Sequence, residues 1–243
     1  MIVSTQSLTQ QIVNELGLEI VRGKYGGENV FPIEASLCEQ FGVSRSVLRE
    51  AVKMLTSKGL LRARPRQGTW VQPEESWNLL DPDVLRWLLE RKFSIDLLSD
   101  FTEIRMAIEP QAAAFAAMRA TEKEKSQILD ALERMQAAEL GDDDPLLSDI
   151  AFHVAILEAS GNRFFSQLKD LVDTALRISI RLTNQYKGVA LASVADHRKI
   201  YDAIAAGDAP NAHQASLSLI KEADELIKLA RERIKTAADE AAN

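Results

Sequence analysis

Val47, Leu48, Ala51, Val52 and Leu55 recur at intervals of three and four, the spacing of one helical face, while Arg45, Ser46, Arg49 and Lys53 fall largely on the other side. A shorter run at 35–41 predicts a helix before it, and Gly42 supplies the turn between them, where left-handed backbone is needed. Ser44 is placed to cap the second helix with its hydroxyl, and Gly59 to stop it. Two short strands are predicted next, at 60–64 and 69–72, joined by Pro65-Arg66-Gln67-Gly68. Helix, turn, helix and hairpin in this order predict a winged helix-turn-helix, whose second helix enters the DNA major groove.

After Val71 the alternation of strands disappears and helical spacing takes over. Helices are predicted at 83–92, 94–119, 121–140, 146–160, 163–186, 190–206 and 210–238. Pro82 suits the first turn of the first, and Thr121 with Glu124 makes a capping box for the third. Pro110 should kink the second or divide it near Glu109. The expected fold class is mainly α: an N-terminal winged helix-turn-helix, then an all-helical antiparallel bundle of six to seven helices with its binding site in the interior.

Charge sharpens this division. The chain of 243 residues has a net charge of −7, which by itself argues against nucleic acid. Up to Pro73, however, nine Lys or Arg stand against six Asp or Glu, and after it 20 stand against 30. Between Ser44 and Arg66 the basic residues are Arg45, Arg49, Lys53, Lys58, Arg62, Arg64 and Arg66, with Glu50 the one acid. Arg62, Arg64 and Arg66 alternate, so a strand places them on one side, at a tip where Gly68 permits close approach. Residues 1–73 are expected to bind DNA, 74–82 to link, and 83–243 to form a helical effector-binding and dimerisation domain. Cys38 is the single cysteine, so no disulfide framework exists. No apolar stretch reaches membrane-spanning length and the N-terminus lacks the regions of a signal peptide, so a cytoplasmic location is expected.

Chemistry in the acidic part centres on few residues. Asp149 and His153 stand four apart and share a helical side, a spacing that suits two ligands of one metal ion and equally a surface acid–histidine contact. His197 lies 44 residues beyond His153, on another predicted helix. Arg105 and Glu109 sit four apart on an otherwise apolar helix, either as an intrahelical ion pair or with Arg105 turned inward as a partner for a carboxylate. Arg177, Arg181 and Asn184 offer the same chemistry along another helix.

The stretch FPIEASLCEQFGVSRSVLREAVKMLTSKGLLRARPRQGTWV, with EIRMAIEPQAA (103–113), SDIAFHVAILEASGN (148–162) and DHRKIYDAIAAGDAPNA (196–212), resembles the GntR family of bacterial transcription regulators, in the branch whose effector domain is the all-helical FCD domain. Within that branch SWNLLDPDVLRWLLE (76–90) is similar to the regulators of sugar-acid operons. The resemblance implies that Arg45, Arg49 and Gly68 lie at the DNA, flanked by Glu34, Ser44 and Ser46; from the basic hairpin itself, Arg64, Arg66 and Gln67 are expected to add the wing's contacts. It also implies a divalent metal, with Asp149, His153 and His197 as three of four ligands. The fourth falls at Leu219, which cannot ligate, and His213 is six residues too early, on a different face of its helix; the site then either holds metal through three protein ligands or has lost it, with His153 and His197 binding an anionic effector directly. Zinc suits two imidazoles and a carboxylate, with nickel and manganese open.

The function expected is a homodimeric transcription regulator, more specifically a repressor released from a palindromic operator by a small carboxylate such as an aldonate or uronate, bound between the metal and Arg105. Two alternatives are a metal-dependent hydrolase built on Asp149, His153 and His197, and an acyl-CoA sensor on the same scaffold. Against the first, the chain offers no evident general base or nucleophile motif. Against the second, an apolar tunnel would have to replace the polar set.

Overall fold

Ser7 accepts a hydrogen bond from the Gln10 amide (3.2 Å) and caps helix α1, Leu8–Val21, an element beyond those predicted. The computed structural model describes residues 7–26, 30–64, 67–91, 95–187 and 193–241, in two compact units, Met1–Phe93 and Ser94–Asn243. In the first unit, α1 buries Ile12, Val13, Leu16 and Ile20 and packs against α3, Arg45–Ser57. Before α3 comes α2, Glu34–Phe41, ending at Gly42, whose φ of 62° is left-handed. Ser44 caps α3 by accepting from the Val47 amide (3.4 Å). Leu48, Ala51 and Leu55 are the fully buried residues of the predicted apolar face. Strands β1, Leu61–Arg64, and β2, Gly68–Val71, pair antiparallel with Arg62 opposite Trp70 and Arg64 opposite Gly68. Helix-turn-helix and wing are therefore as expected, within a residue at each boundary.

The segment after the wing departs from the expected linker. A 3₁₀ turn at Glu74–Ser76 leads to Trp77, whose indole N–H donates to the Gln72 carbonyl (3.0 Å), and the Asn78 amide donates to the Lys58 carbonyl (3.0 Å). Lys58 then donates to Asp81 and Asp83 at 2.8 and 2.9 Å, at the start of α4, Pro82–Arg91. Gly59 has φ 81°, and a Cβ there would stand 2.3 Å from the Ser76 carbonyl oxygen. Helix α4 packs on α1, with the Trp87 ring seated over Gly17 where a Cβ would come within 2.4 Å. The first compact unit thus runs past residue 73 and includes the helix that the sequence pattern assigned to the effector domain.

Seven helices make up the described residues of the second unit: α5 (Ile95–Arg119), α6 (Glu122–Leu140), α7 (Pro145–Ala159), α8 (Arg163–Gln167), α9 (Lys169–Lys187), α10 (Val194–Ala205) and α11 (Ala209–Ala241). The capping box at Thr121 and Glu124 is present. Pro110 does not divide α5: the helix continues through it, with Pro110 buried and the helix packed along α11 and against α7. The single helix predicted at 163–186 is instead α8 and α9, separated at Leu168. Helix α7 packs on α6, α5 and α9, and α10 on α11, α6 and α5, so α5, α7 and α10 meet inside the bundle.

Gly42 and Gly59 test how the first unit is held. All three tryptophans, Trp70, Trp77 and Trp87, lie in it, so their fluorescence during urea unfolding reports on it alone. Gly42→Ala meets only the left-handed backbone cost, about 1–2 kcal/mol, because nothing lies within 4 Å of the added Cβ. Gly59→Ala is expected to cost clearly more, because the Ser76 carbonyl must move as well.

Candidate metal and DNA-contact sites

Asp149 and His153 project from α7 and His197 from the first turn of α10, all three buried. One donor atom from each lies within 4.8 Å of the others. Two hydrogen bonds settle which imidazole nitrogens face inward. His197 Nδ1 stands 2.8 Å from the carbonyl oxygen of Ser193, the N-cap of α10; a carbonyl only accepts, so Nδ1 donates there and Nε2 is the nitrogen that faces Asp149. His153 Nδ1 stands 2.8 Å from Glu109 Oε2, so it too donates and leaves Nε2 facing Asp149. The His197 ring is also held edge-on by Phe152, at 5.0 Å between centroids.

Asp149 Oδ1 is 3.3 Å from His153 Nε2 and 3.2 Å from His197 Nε2. Nevertheless Asp149 Oδ1 and His197 Nε2 are buried without a hydrogen bond. The carboxylate charge is offset by the two imidazoles at ion-pair distance, but its hydrogen-bonding capacity and that of His197 Nε2 are unmet, an arrangement that favours a ligated ion beside them. A carboxylate and two imidazoles, with outer nitrogens fixed by Glu109 and Ser193, have the chemistry of a divalent-metal site with its supporting hydrogen bonds. The residues present fit the ion.

Around this cluster the charges alternate. Arg105 donates from Nε and Nη2 to Glu109 at 2.6 and 3.2 Å, both residues being almost fully buried. The i,i+4 pair is therefore interior, and it joins the histidine set through Glu109. Burial raises the Glu109 carboxyl pKa, but Arg105 and His153 outweigh it and hold it at about 2. Burial likewise opposes the Asp149 charge, and the two imidazoles keep that carboxyl well below the usual range. Burial lowers His153, yet Glu109 and Asp149 bring it up to about 9.

The remaining predicted residues are placed as follows. Leu219, half-buried on α11, lines a cleft of about 420 Å³ with Asp196, Lys199 and Gln214, so the position of the absent fourth ligand is apolar. Arg177 pairs with Asp173 at 2.9 Å, partly exposed; the side chains of Arg181 and Asn184 lie outside the described residues. In the first unit Arg45, Ser46, Arg49, Arg64, Gln67 and Gly68 are exposed. Ser44 and Ser46 share a hydrogen bond (2.9 Å), and the Arg64 guanidinium lies 5.7 Å from the Trp70 ring centre. Arg66 lies outside the described residues. Lys58 is turned away from this set, its ammonium enclosed by Asp81 and Asp83. Glu109, which spacing on its own helix pairs with Arg105 alone, also holds His153, a contact that arises only when α5 packs on α7.

A winged helix joined in sequence to a helical bundle with a buried carboxylate–imidazole cluster defines a ligand-responsive transcription regulator. The chain belongs to the GntR family: residues 8–71 match the gntR family of bacterial regulatory proteins and residues 100–222 match the FCD domain. It is 34% identical over 225 residues to the galactonate operon transcriptional repressor of Escherichia coli (strain K12), covering 92% of this chain and 98% of that protein. It is 29% identical to the HTH-type transcriptional regulator LutR of Bacillus subtilis (strain 168), covering 83% and 92% of the two chains. Among solved structures, Lar of Listeria monocytogenes shares the fold with a TM-score of 0.61 at 18% identity, over 93% of this chain and 98% of that one. The protein is a DNA-binding regulator and not an enzyme. No helix among the described residues is long and apolar enough to cross a membrane.

Because His153 is raised to about 9, its proton stabilises the metal-free protein fully below the ordinary histidine value near 6.5, and this contribution is lost as pH rises through about 9. Ligation needs the neutral imidazole, so metal and proton compete. At pH 7.5, titration calorimetry in buffers of different ionisation enthalpy should show release of about one proton per divalent ion bound. Apparent affinity should rise roughly tenfold per pH unit until about pH 9 and then level off.

Proposed function

We propose that this regulator is a homodimeric repressor of a sugar-acid catabolic operon, released from a palindromic operator by a small hydroxy-carboxylate that binds at Asp149, His153 and His197. The observation that carries this reading is the buried, unsatisfied pair of Asp149 Oδ1 and His197 Nε2. Likeness to the galactonate operon repressor supports the substrate class.

Asp149, His153 and His197 would hold a divalent ion, zinc being well suited to this donor set. When bound, the ion supplies a Lewis-acidic contact for carboxylate and hydroxyl oxygens of the effector. Charge favours an anion there. Arg105, Glu109 and Asp149 with neutral imidazoles leave one net negative charge, which a divalent cation turns into one net positive charge. A monocarboxylate then neutralises the buried cluster. Arg105, with Nε and Nη2 on Glu109, keeps N–H donors for that carboxylate. Arg177, Arg181 and Asn184 are the further polar candidates for the effector's other oxygens.

On the DNA side, two copies of α3 related by a two-fold axis would enter successive major grooves, about 34 Å apart. Glu34, Ser44, Arg45, Ser46 and Arg49 form the groove-facing set, and Arg64, Arg66, Gln67 and Gly68 the wing. Release requires that the effector bind more tightly to the arrangement that does not fit the operator. About 10⁴-fold preference moves such an equilibrium from almost fully bound to almost fully free.

A thermal-shift panel of aldonates, uronates, aldarates, lactate and acyl-CoA, each with zinc or with EDTA, tests the reading. The ligand that fits should raise the melting temperature by roughly 5–10 °C at a hundred times its Kd, only with metal present. Stabilisation that survives EDTA would remove the metal from the account. Stabilisation by acyl-CoA alone would overturn the sugar-acid assignment.

A further inference from the structure

Glu34 is an acid on a surface that must meet a polyanion. It opens α2 and is 15 residues from Arg49 on α3, yet Arg49 Nε donates to both of its carboxylate oxygens, at 3.2 and 3.1 Å. Both side chains stay substantially exposed, 46% for Glu34 and 61% for Arg49, so the ion pair sits on the outer face of the helix-turn-helix. Arg45, by contrast, has no ion-pair partner among the described residues, although it is one turn earlier on the same helix.

From this geometry we propose that Glu34 is a positioning residue that commits Arg49 to reading a guanine. Nε is the nitrogen bonded to Glu34, so the two terminal nitrogens of the exposed guanidinium are left as a fork that matches guanine O6 and N7. The neighbouring carboxylate also selects against the other common use of an arginine. A phosphate drawn to Arg49 would set a second anion beside Glu34, whereas a base edge brings no net charge. Glu34 therefore lowers affinity for DNA in general while sharpening discrimination at one base pair. This rests on the family reading that α3 lies in the major groove.

The test uses the full-length protein and two duplexes: one selected by the wild-type protein from a randomised pool, and one scrambled from it at equal length and composition. Affinities come from fluorescence anisotropy at one fixed salt concentration. For Glu34→Ala the selected duplex should bind more weakly and the scrambled one at least as tightly. The ratio should fall about tenfold, towards the lower end of what a bidentate guanine contact supplies. Glu34→Gln, which keeps the shape and an acceptor, should fall between. In an Arg49→Ala background the same change should leave the ratio unmoved, while in an Arg45→Ala background the loss should persist. Equal weakening of both duplexes with a lower melting temperature would overturn the proposal in favour of a folding role. An undiminished loss in the Arg49→Ala background would overturn it in favour of direct reading by Glu34, and an unchanged ratio would overturn it outright. Failure to select any duplex would remove the DNA-binding reading, and the proposal with it.

Discussion

Five ionisable side chains, Arg105, Glu109, His153, Asp149 and His197, are buried together in the bundle, and none can be there alone. Taking one isolated charge out of water costs several kcal/mol after relaxation. Each charge here is offset by the next: Arg105 by Glu109, Glu109 by His153, His153 by Asp149. The chain of contacts crosses from α5 to α7 and on to α10, so the same residues that would carry the ligand chemistry also dictate how three helices meet. It ends on two groups with no hydrogen bond, Asp149 Oδ1 and His197 Nε2. A bundle held only for stability would be better served there by apolar side chains.

The DNA-binding unit relies on another set of charges. Lys58, at the C-terminal end of the recognition helix, receives Asp81 and Asp83 from the segment that begins α4. Trp87 on Gly17 and the close approach of Ser76 to Gly59 bring the rest of that segment against the winged helix. Helix α4 is thereby part of the unit that contacts DNA. Lys58 ties the start of α4 to the end of α3.

Much of this was legible in the residues themselves. Gly42, Ser44 and Gly59 punctuate the helix-turn-helix because each has a local backbone job, and such jobs depend little on distant contacts. Asp149 and His153 were readable as one helical side for the same reason. What periodicity cannot convey is which sides meet. Glu109 was placed on the correct helix with Arg105, but its bond to His153 depends on α5 packing against α7. Lys58 counted among the basic residues of the DNA face, yet two carboxylates that follow the wing draw it inward. Helix α1 carried a readable signal in Ser7 and the spacing of Ile12, Leu16 and Ile20, whereas the break at Leu168 interrupts a pattern that is helical on both sides.

Asp149, His153 and His197 would together hold a divalent ion. Anomalous diffraction above and below the zinc edge, from crystals of protein purified without chelator and supplied with zinc, addresses it directly. The account predicts a peak bounded by Asp149 Oδ1 and the Nε2 atoms of His153 and His197, at ligand distances of about 2.0–2.2 Å. A cluster without a peak, with His153 and His197 hydrogen-bonded to Asp149 instead, would contradict it.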